Sequence, residues 1–122
     1  MHWWHEDEKL GIRTRYSDDL LFLPYGVIEY INFTGDYSIL NEKAKYIEES
    51  ELKENEKDRV IRYKEANEDG TILEHVLKAI ERSLKFGKDN LPLMQSGDWN
   101  DGMNKIGEEG KGESVWLGFF LY

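Results

Sequence analysis

The chain has 122 residues, with 16 Lys and Arg against 25 Asp and Glu and a formal net charge of −9. That balance argues against nucleic acid and against an anionic membrane surface as partners, because both attract clustered Lys and Arg. Cysteine is absent, which removes disulfides, thiolate nucleophiles and cysteine metal sites and fits a cytoplasmic protein.

The opening Met1, His2, Trp3, Trp4, His5 has no basic leader, and no apolar run in the chain reaches about eighteen residues, so neither a signal peptide nor a membrane span is expected. Two adjacent indoles stabilise only when something covers them, which points to polypeptide upstream. His2 and His5 lack a third ligand at a convincing spacing, and no metal site is expected there. Ser17 followed by Asp18 and Asp19 reads as a helix start. Leu20, Val27, Ile28 and Ile31 then share one face of a helix of about fifteen residues, with Pro24 imposing a kink or a late start and Gly35 a stop. Arg13, Arg15 and a following carboxylate form a second possible grouping, a fork of donors with an acceptor, suited to a polyhydroxylated ligand.

Ile39, Leu40, Ala44 and Ile47 suggest a second, shorter helix. Residues 48–70 are dense in Glu, Lys, Asp and Asn and read as an exposed connection with a short extended piece at 59–63. Thr71 and Glu74 form a capping box ahead of the stripe Leu73, Val76, Leu77, Ile80, Leu84, a helix expected to end at Gly87 with Glu74–Lys78 and Glu81–Lys85 pairs on its wet side. Residues 107–112 form a glycine-rich, acidic loop. Glu113 and Ser114 open a last helix that is apolar on all sides, Val115 to Tyr122, as if cut from a larger buried one or covered by a partner.

The stretch Gly97, Asp98, Trp99, Asn100, Asp101, Gly102 packs two carboxylates, an amide and an indole between glycines, which makes a tight turn. Asp, Asn and Gly are also plain turn formers. The functional reading is sugar chemistry: a planar apolar face to lie under a pyranose, an amide for hydroxyls, and Asp101 as the proton donor, its acid form favoured by partial burial against Trp99. Asp98, Asn100 and Glu109 fall at the first, third and twelfth places of a calcium loop, but the glycine such a loop needs at its sixth place is Met103 and its fifth is the ligand-less Gly102.

The stretches HWWH from His2, GIRTRYSDDLLFLPY from Gly11, FTGD from Phe33, LPLMQSGDWNDGMN from Leu91 and GESVWLGFFL from Gly112 resemble glycoside hydrolase family 94. The likeness is strongest to the carboxy-terminal region of cyclic β-1,2-glucan synthetases and β-1,2-oligoglucan phosphorylases. The resemblance implies an all-α fold, an (α/α)6 barrel. At about 1.5 Å per residue the chain supplies only three to five of its helices, with long loops, so residues 1–122 are expected to be a single fragment of that catalytic domain.

The resemblance further implies an inverting β-glucan phosphorylase acting on a β-glucan oligosaccharide or disaccharide. There is no cofactor, inorganic phosphate is the co-substrate, and α-glucose 1-phosphate is the product. Asp101 takes the place of the general acid. Trp99 lies beside the donor sugar, with Asn100 a substrate-binding candidate through its amide, Asp98 is structural or supports the site through a neighbour, and Arg13 and Asp19 match the donor-site pair, with Arg15 a further candidate. The family's phosphate-binding groups fall beyond this region. The partners implied are the glucan, phosphate, and the remainder of the barrel or a second chain over the apolar ends. The alternative is a non-catalytic remnant or a sugar-binding helical fragment without the phosphate site.

Overall fold

The computed structural model describes residues 3–103 and 105–122, with Asp101 described by its backbone alone. His2 therefore lies outside the described residues. Five strands, β1 (Trp3–His5), β2 (Leu10–Thr14), β3 (Lys43–Glu48), β4 (Asp58–Arg62) and β5 (Lys64–Thr71), accompany three α-helices, α1 (Phe22–Thr34), α2 (Ile72–Ser83) and α3 (Val115–Leu121). β2 lies between β1 and β4 in an antiparallel sheet in which Trp3 faces Ile12 and Ile12 faces Val60. β3 and β5 form a separate antiparallel pair.

This mixed α/β arrangement corrects the all-α, partial (α/α)6 barrel that the resemblance implied. The physical reason lies in two segments. Ile39, Leu40, Ala44 and Ile47 fit a helical face, yet they divide between a 3-10 turn, Tyr37–Asn41, and strand β3. In β3 the alternation of Lys43 and Lys45 with Ala44 and Tyr46 matches a period of two, with Ala44 and Tyr46 the less exposed. The acidic stretch 48–70, read as a connection, supplies β4 and β5. Of that stretch only the extended piece at 59–63 was expected, and β4 falls on it.

β5 has little apolar character and is held by cross-strand charges, Lys43 to Asp69 at 3.0 Å and Lys45 to Glu65 at 3.1 Å. All four side chains are well exposed, so solvent screens each pair and its contribution is small. What docks the β3–β5 pair is aromatic packing on α2: the Tyr46 and His75 rings lie 4.2 Å apart, and His75 Nε2 sits 3.0 Å from the Ala44 carbonyl oxygen. Lys78, expected to pair with Glu74, instead donates to the Tyr46 hydroxyl at 2.8 Å.

α1 starts late, at Phe22, which leaves Pro24 in the first turn where no intrahelical donor is required. Its N-cap, Leu21, receives no side-chain hydrogen bond, so Ser17 does not cap it. Gly35 ends it with φ of 71°, a left-handed conformation that glycine adopts without a Cβ penalty. α2 carries the expected capping box: Thr71 Oγ1 accepts from the Glu74 amide at 3.2 Å, and the Glu74 carboxylate accepts from the Thr71 amide at 2.7 Å. It stops at Ser83, four residues before Gly87.

α3 begins with Ser114 capping the Leu117 amide at 3.0 Å, and Leu117 is fully buried. Phe120 packs edge-on to Phe22, 5.2 Å between ring centroids, joining α3 to α1. The other side of α3 is bare, with Phe119 80% exposed above an apolar groove of about 590 Å³ floored by Leu91 and Pro92. Among the described residues no helix is long and apolar enough to cross a membrane.

Candidate functional site

The two stretches singled out by sequence, 13–19 and 97–102, are joined by backbone. Tyr16 and Gln95 form an isolated antiparallel bridge, the Ser96 amide donates to the Arg15 carbonyl at 3.3 Å, and the Ser17 amide donates to the Gly97 carbonyl at 3.0 Å. The Ser17 hydroxyl donates to that same carbonyl at 3.1 Å, and this is where the serine read as a helix cap is used. The Tyr16 ring covers Gly97 so closely that an added Cβ would lie 3.1 Å from it.

On its far side the strand-like run 91–95 is held by residues 85–86 and 112–114. The Met94 amide donates to the Gly112 carbonyl, and the Ser114 amide to the Pro92 carbonyl, each at 2.8 Å. Gly107 lies against the Gln95 backbone, where a Cβ would stand 1.5 Å from the carbonyl oxygen, so glycine alone fits there. Lys57 pairs with Glu108 at 2.8 Å, and this ammonium holds the Glu108 carboxyl below its ordinary range.

Within the turn itself Asp98 is 1% exposed. One of its oxygens accepts from the Ser114 hydroxyl at 2.5 Å; the other accepts from the Asn100 amide at 2.9 Å and from Asn100 Nδ2 at 3.3 Å. Asp98 thus joins the turn to the cap of α3. Trp99 points the other way, 66% exposed, and stacks on Trp116 with centroids 6.2 Å apart and planes at 21°. An indole held by one face against a second indole offers its free surface as a rigid platform. Asn100 is exposed. Asp101 opens a 3-10 turn, Asp101–Met103, and its side chain, the expected general acid, lies outside what is described.

Arg13, Arg15 and Asp19 are brought together on one cleft of about 440 Å³, which is also lined by Tyr16 and Gln95. That volume falls within the roughly 300–1,000 Å³ of pockets that enclose small ligands. Asp19 accepts from the Thr14 hydroxyl at 2.5 Å. Arg13 lines the cleft, is half-buried and makes no hydrogen bond or ion pair among the described residues, so none of them competes for its fork of donors. Arg15 is engaged differently: Nε donates to the Glu56 carbonyl at 2.9 Å, and one terminal nitrogen donates to the carbonyls of Leu52 and Lys53 at 3.0 and 2.7 Å.

Trp99 and Asn100 do not line this cleft; they stand beyond Gly97, on the turn that the Ser17–Gly97 pairing fixes beside it. Sequence reasoning missed Glu51, Leu52, Arg82 and Lys85, which complete the cleft wall. No local signal marks them, since they come from the acidic connection, from the last turn of α2 and from the segment just after it. Among the described residues no group of three His, Asp or Glu is arranged to hold a metal ion.

The chain matches the family model described as glycosyl hydrolase 94 superfamily, catalytic domain, over residues 2–122. It is 42% identical over 121 residues to the cyclic beta-(1,2)-glucan synthase of Rhizobium meliloti, which covers 98% of this chain and 4% of the synthase. It is 37% identical over 108 residues to solabiose phosphorylase of Paenibacillus borealis, 88% of this chain and 12% of the relative. It is 33% identical over 104 residues to cellobionic acid phosphorylase of Neurospora crassa, 84% of this chain and 11% of the relative. The chain therefore spans about an eighth or less of the curated relatives it matches. A family match along essentially the whole chain, taking in both the 13–19 and the 97–102 stretches, makes this polypeptide a member of the glycosyl hydrolase 94 superfamily, within its catalytic domain.

Proposed function

We propose that this chain is the part of an inverting β-glucan phosphorylase that contributes the general acid and the contacts to the donor sugar. Asp101 is the acid, Arg13 and Asp19 bind hydroxyls of the donor sugar, Trp99 lies under or beside its ring, and Asn100 offers an amide. Inorganic phosphate is the co-substrate and no other cofactor takes part. In such a reaction phosphate oxygen forms a bond to the anomeric carbon from one face as the glycosidic C–O bond breaks on the other. Asp101 delivers its proton to the departing oxygen, and the product is α-glucose 1-phosphate with inverted configuration. Phosphate stands where an inverting hydrolase holds its base-activated water, so one carboxylic acid suffices.

The observation that supports this reading is the backbone pairing of residues 15–17 with 95–97, which ties the turn bearing Trp99 and Asp101 to the wall of the Arg13–Asp19 cleft. The relatives' names add a phosphorylase and a glucan synthase context. Because the chain is a small share of their length, turnover is assigned to a polypeptide of the relatives' size that includes it. The test is glucose 1-phosphate release from sophorose- or cellobiose-type glucans and phosphate by such a polypeptide. Asp101→Asn is expected to abolish release; full rate after that substitution would remove Asp101 from the role of acid.

A further inference from the structure

Residues 49–57 had no role in the sequence reading, yet they form one wall of the cleft and are gripped by two arginines. Arg15 reaches the carbonyls of Leu52, Lys53 and Glu56. Arg59, on β4, reaches the carbonyls of Ser50 and Glu51 at 3.0 and 3.2 Å, and pairs with Glu56 at 3.4 Å. Five carbonyls in a seven-residue span thus receive guanidinium donors, an arrangement that fixes a segment with no helix or strand of its own. The segment lends the cleft Glu51, one of whose carboxylate oxygens pairs with Arg82 at 3.3 Å, and the half-buried Leu52, an apolar surface.

We propose that residues 49–57 form the wall that reads the second sugar ring of a disaccharide or longer glucan, and that Arg15 is a positioning residue for that wall, not a sugar ligand. The inference rests on the donor sugar occupying the Arg13–Asp19 end of the cleft. Arg13 lines the cleft with no hydrogen-bond or ion-pair partner among the described residues, whereas Nε and one terminal nitrogen of Arg15 are spent on backbone carbonyls of residues 52–56. Loss of Arg15 is then felt by the ring that touches the wall, while the ring held by Arg13 and Asp19 is unaffected.

The experiment titrates glucose, sophorose and cellobiose into the 122-residue chain and into Arg15→Ala, Arg15→Lys and Leu52→Ala, following cleft amides by NMR and amide exchange at 50–57. In the wild type a disaccharide is expected to bind about tenfold more tightly than glucose, the increment of one added ring in contact with a wall. Arg15→Ala is expected to remove most of that advantage and deprotect the 50–57 amides while glucose affinity stays within about twofold; Arg15→Lys, lacking the planar fork, restores it only in part. Leu52→Ala, with the grip intact, keeps amide protection and still weakens the disaccharide. Equal wild-type affinities for glucose and disaccharide overturn the wall, and an equal loss for both in Arg15→Ala makes Arg15 a direct ligand; either leaves the donor-site reading standing. Wild-type binding of none of the three sugars overturns that reading together with this inference.

Discussion

Asp98→Asn replaces one carboxylate oxygen with an amide of nearly the same shape, and the hydrogen bonds around it define the cost. As Asp98 stands, both oxygens accept: Oδ2 from the Ser114 hydroxyl, Oδ1 from the Asn100 amide and side chain. An asparagine has one accepting oxygen. If that oxygen faces Ser114, its NH2 is driven against the Asn100 N–H, donor to donor at 2.9 Å. If it faces Asn100, its NH2 meets a Ser114 oxygen that already accepts from Leu117, and the hydroxyl hydrogen is orphaned. Either way one hydrogen bond to a charged group is lost and a buried donor goes unsatisfied, a destabilisation of about 3 kcal/mol, or roughly 10 °C in Tm for a chain of this size. Urea unfolding gives the free energy directly. Near-ultraviolet circular dichroism gives the location, because the Trp99–Trp116 stack should lose its signal while the far-ultraviolet signal of α2 persists. In a double-mutant cycle Asp98→Asn and Ser114→Ala should couple by more than about 0.5 kcal/mol. A variant within about 0.5 kcal/mol of wild type, with the indole stack intact, would show that the turn holds its shape without this anchor.

Thr71→Ala removes the cap of α2 and should cost about 1 kcal/mol in urea unfolding, while Thr71→Ser should cost less. The Thr71 backbone and side-chain donors hold the Glu74 carboxyl below its ordinary value of 4.5, so its contribution is present above that value and is lost as pH falls through the lower folded value; the unfolding midpoints of wild type and Glu74→Gln should differ at pH 6 and converge in more acidic solution. Gly107→Ala drives a Cβ into the Gln95 carbonyl and should destabilise by about 1–3 kcal/mol or more, whereas Gly102→Ala, whose added Cβ meets no atom within 4 Å among the described residues beyond its chain neighbours, should unfold with the wild-type midpoint. Trp99→Ala removes an exposed ring and should change stability by less than about 1 kcal/mol while weakening sugar binding measured by titration.

Local signals carried the three α-helices and the short extended piece that became β4, and failed on β3 and β5 for a definable reason. The capping box at Thr71 and the glycine stop at Gly35 are contained within a few residues, so they are legible without knowing what packs where. β5 is not: Lys64 to Thr71 has almost no apolar residue, and its cross-strand charge pairs are with Lys43 and Lys45, twenty or more residues away. β3 was ambiguous in itself, because four apolar residues spaced to fit a helix also fit a turn followed by a strand. The same distinction divides the site. Residues 13–19 and 97–102 stood out by type, but nothing in either announces that the Ser17 hydroxyl reaches Gly97, eighty residues on. The grip of Arg15 on backbone carbonyls was not legible, because its partners lie in a segment whose composition looked like plain solvated surface.

That distinction bears on how the two carboxylates of the turn divide their work. A group that must give up and regain a proton needs access to its substrate, and a group that must hold a backbone in place needs burial and several donors. Asp98 has the second set of properties: 1% exposed, three donors, and a link to the cap of α3. With Asp98 committed inward, Trp99 beside it emerges with one face on Trp116 and the other exposed. The anchor therefore sets the position of the platform without touching a sugar. Asp98→Asn should consequently impair phosphorolysis by a polypeptide of the relatives' length through loss of orientation, and a ligand that restores the turn should recover rate. If Asp101 is the acid proposed above, Asp101→Asn deletes the proton itself and should recover nothing under the same treatment. Equal recovery of both variants would mean that Asp101 also acts by holding the turn, and the assignment of acid and anchor would have to be reversed or abandoned.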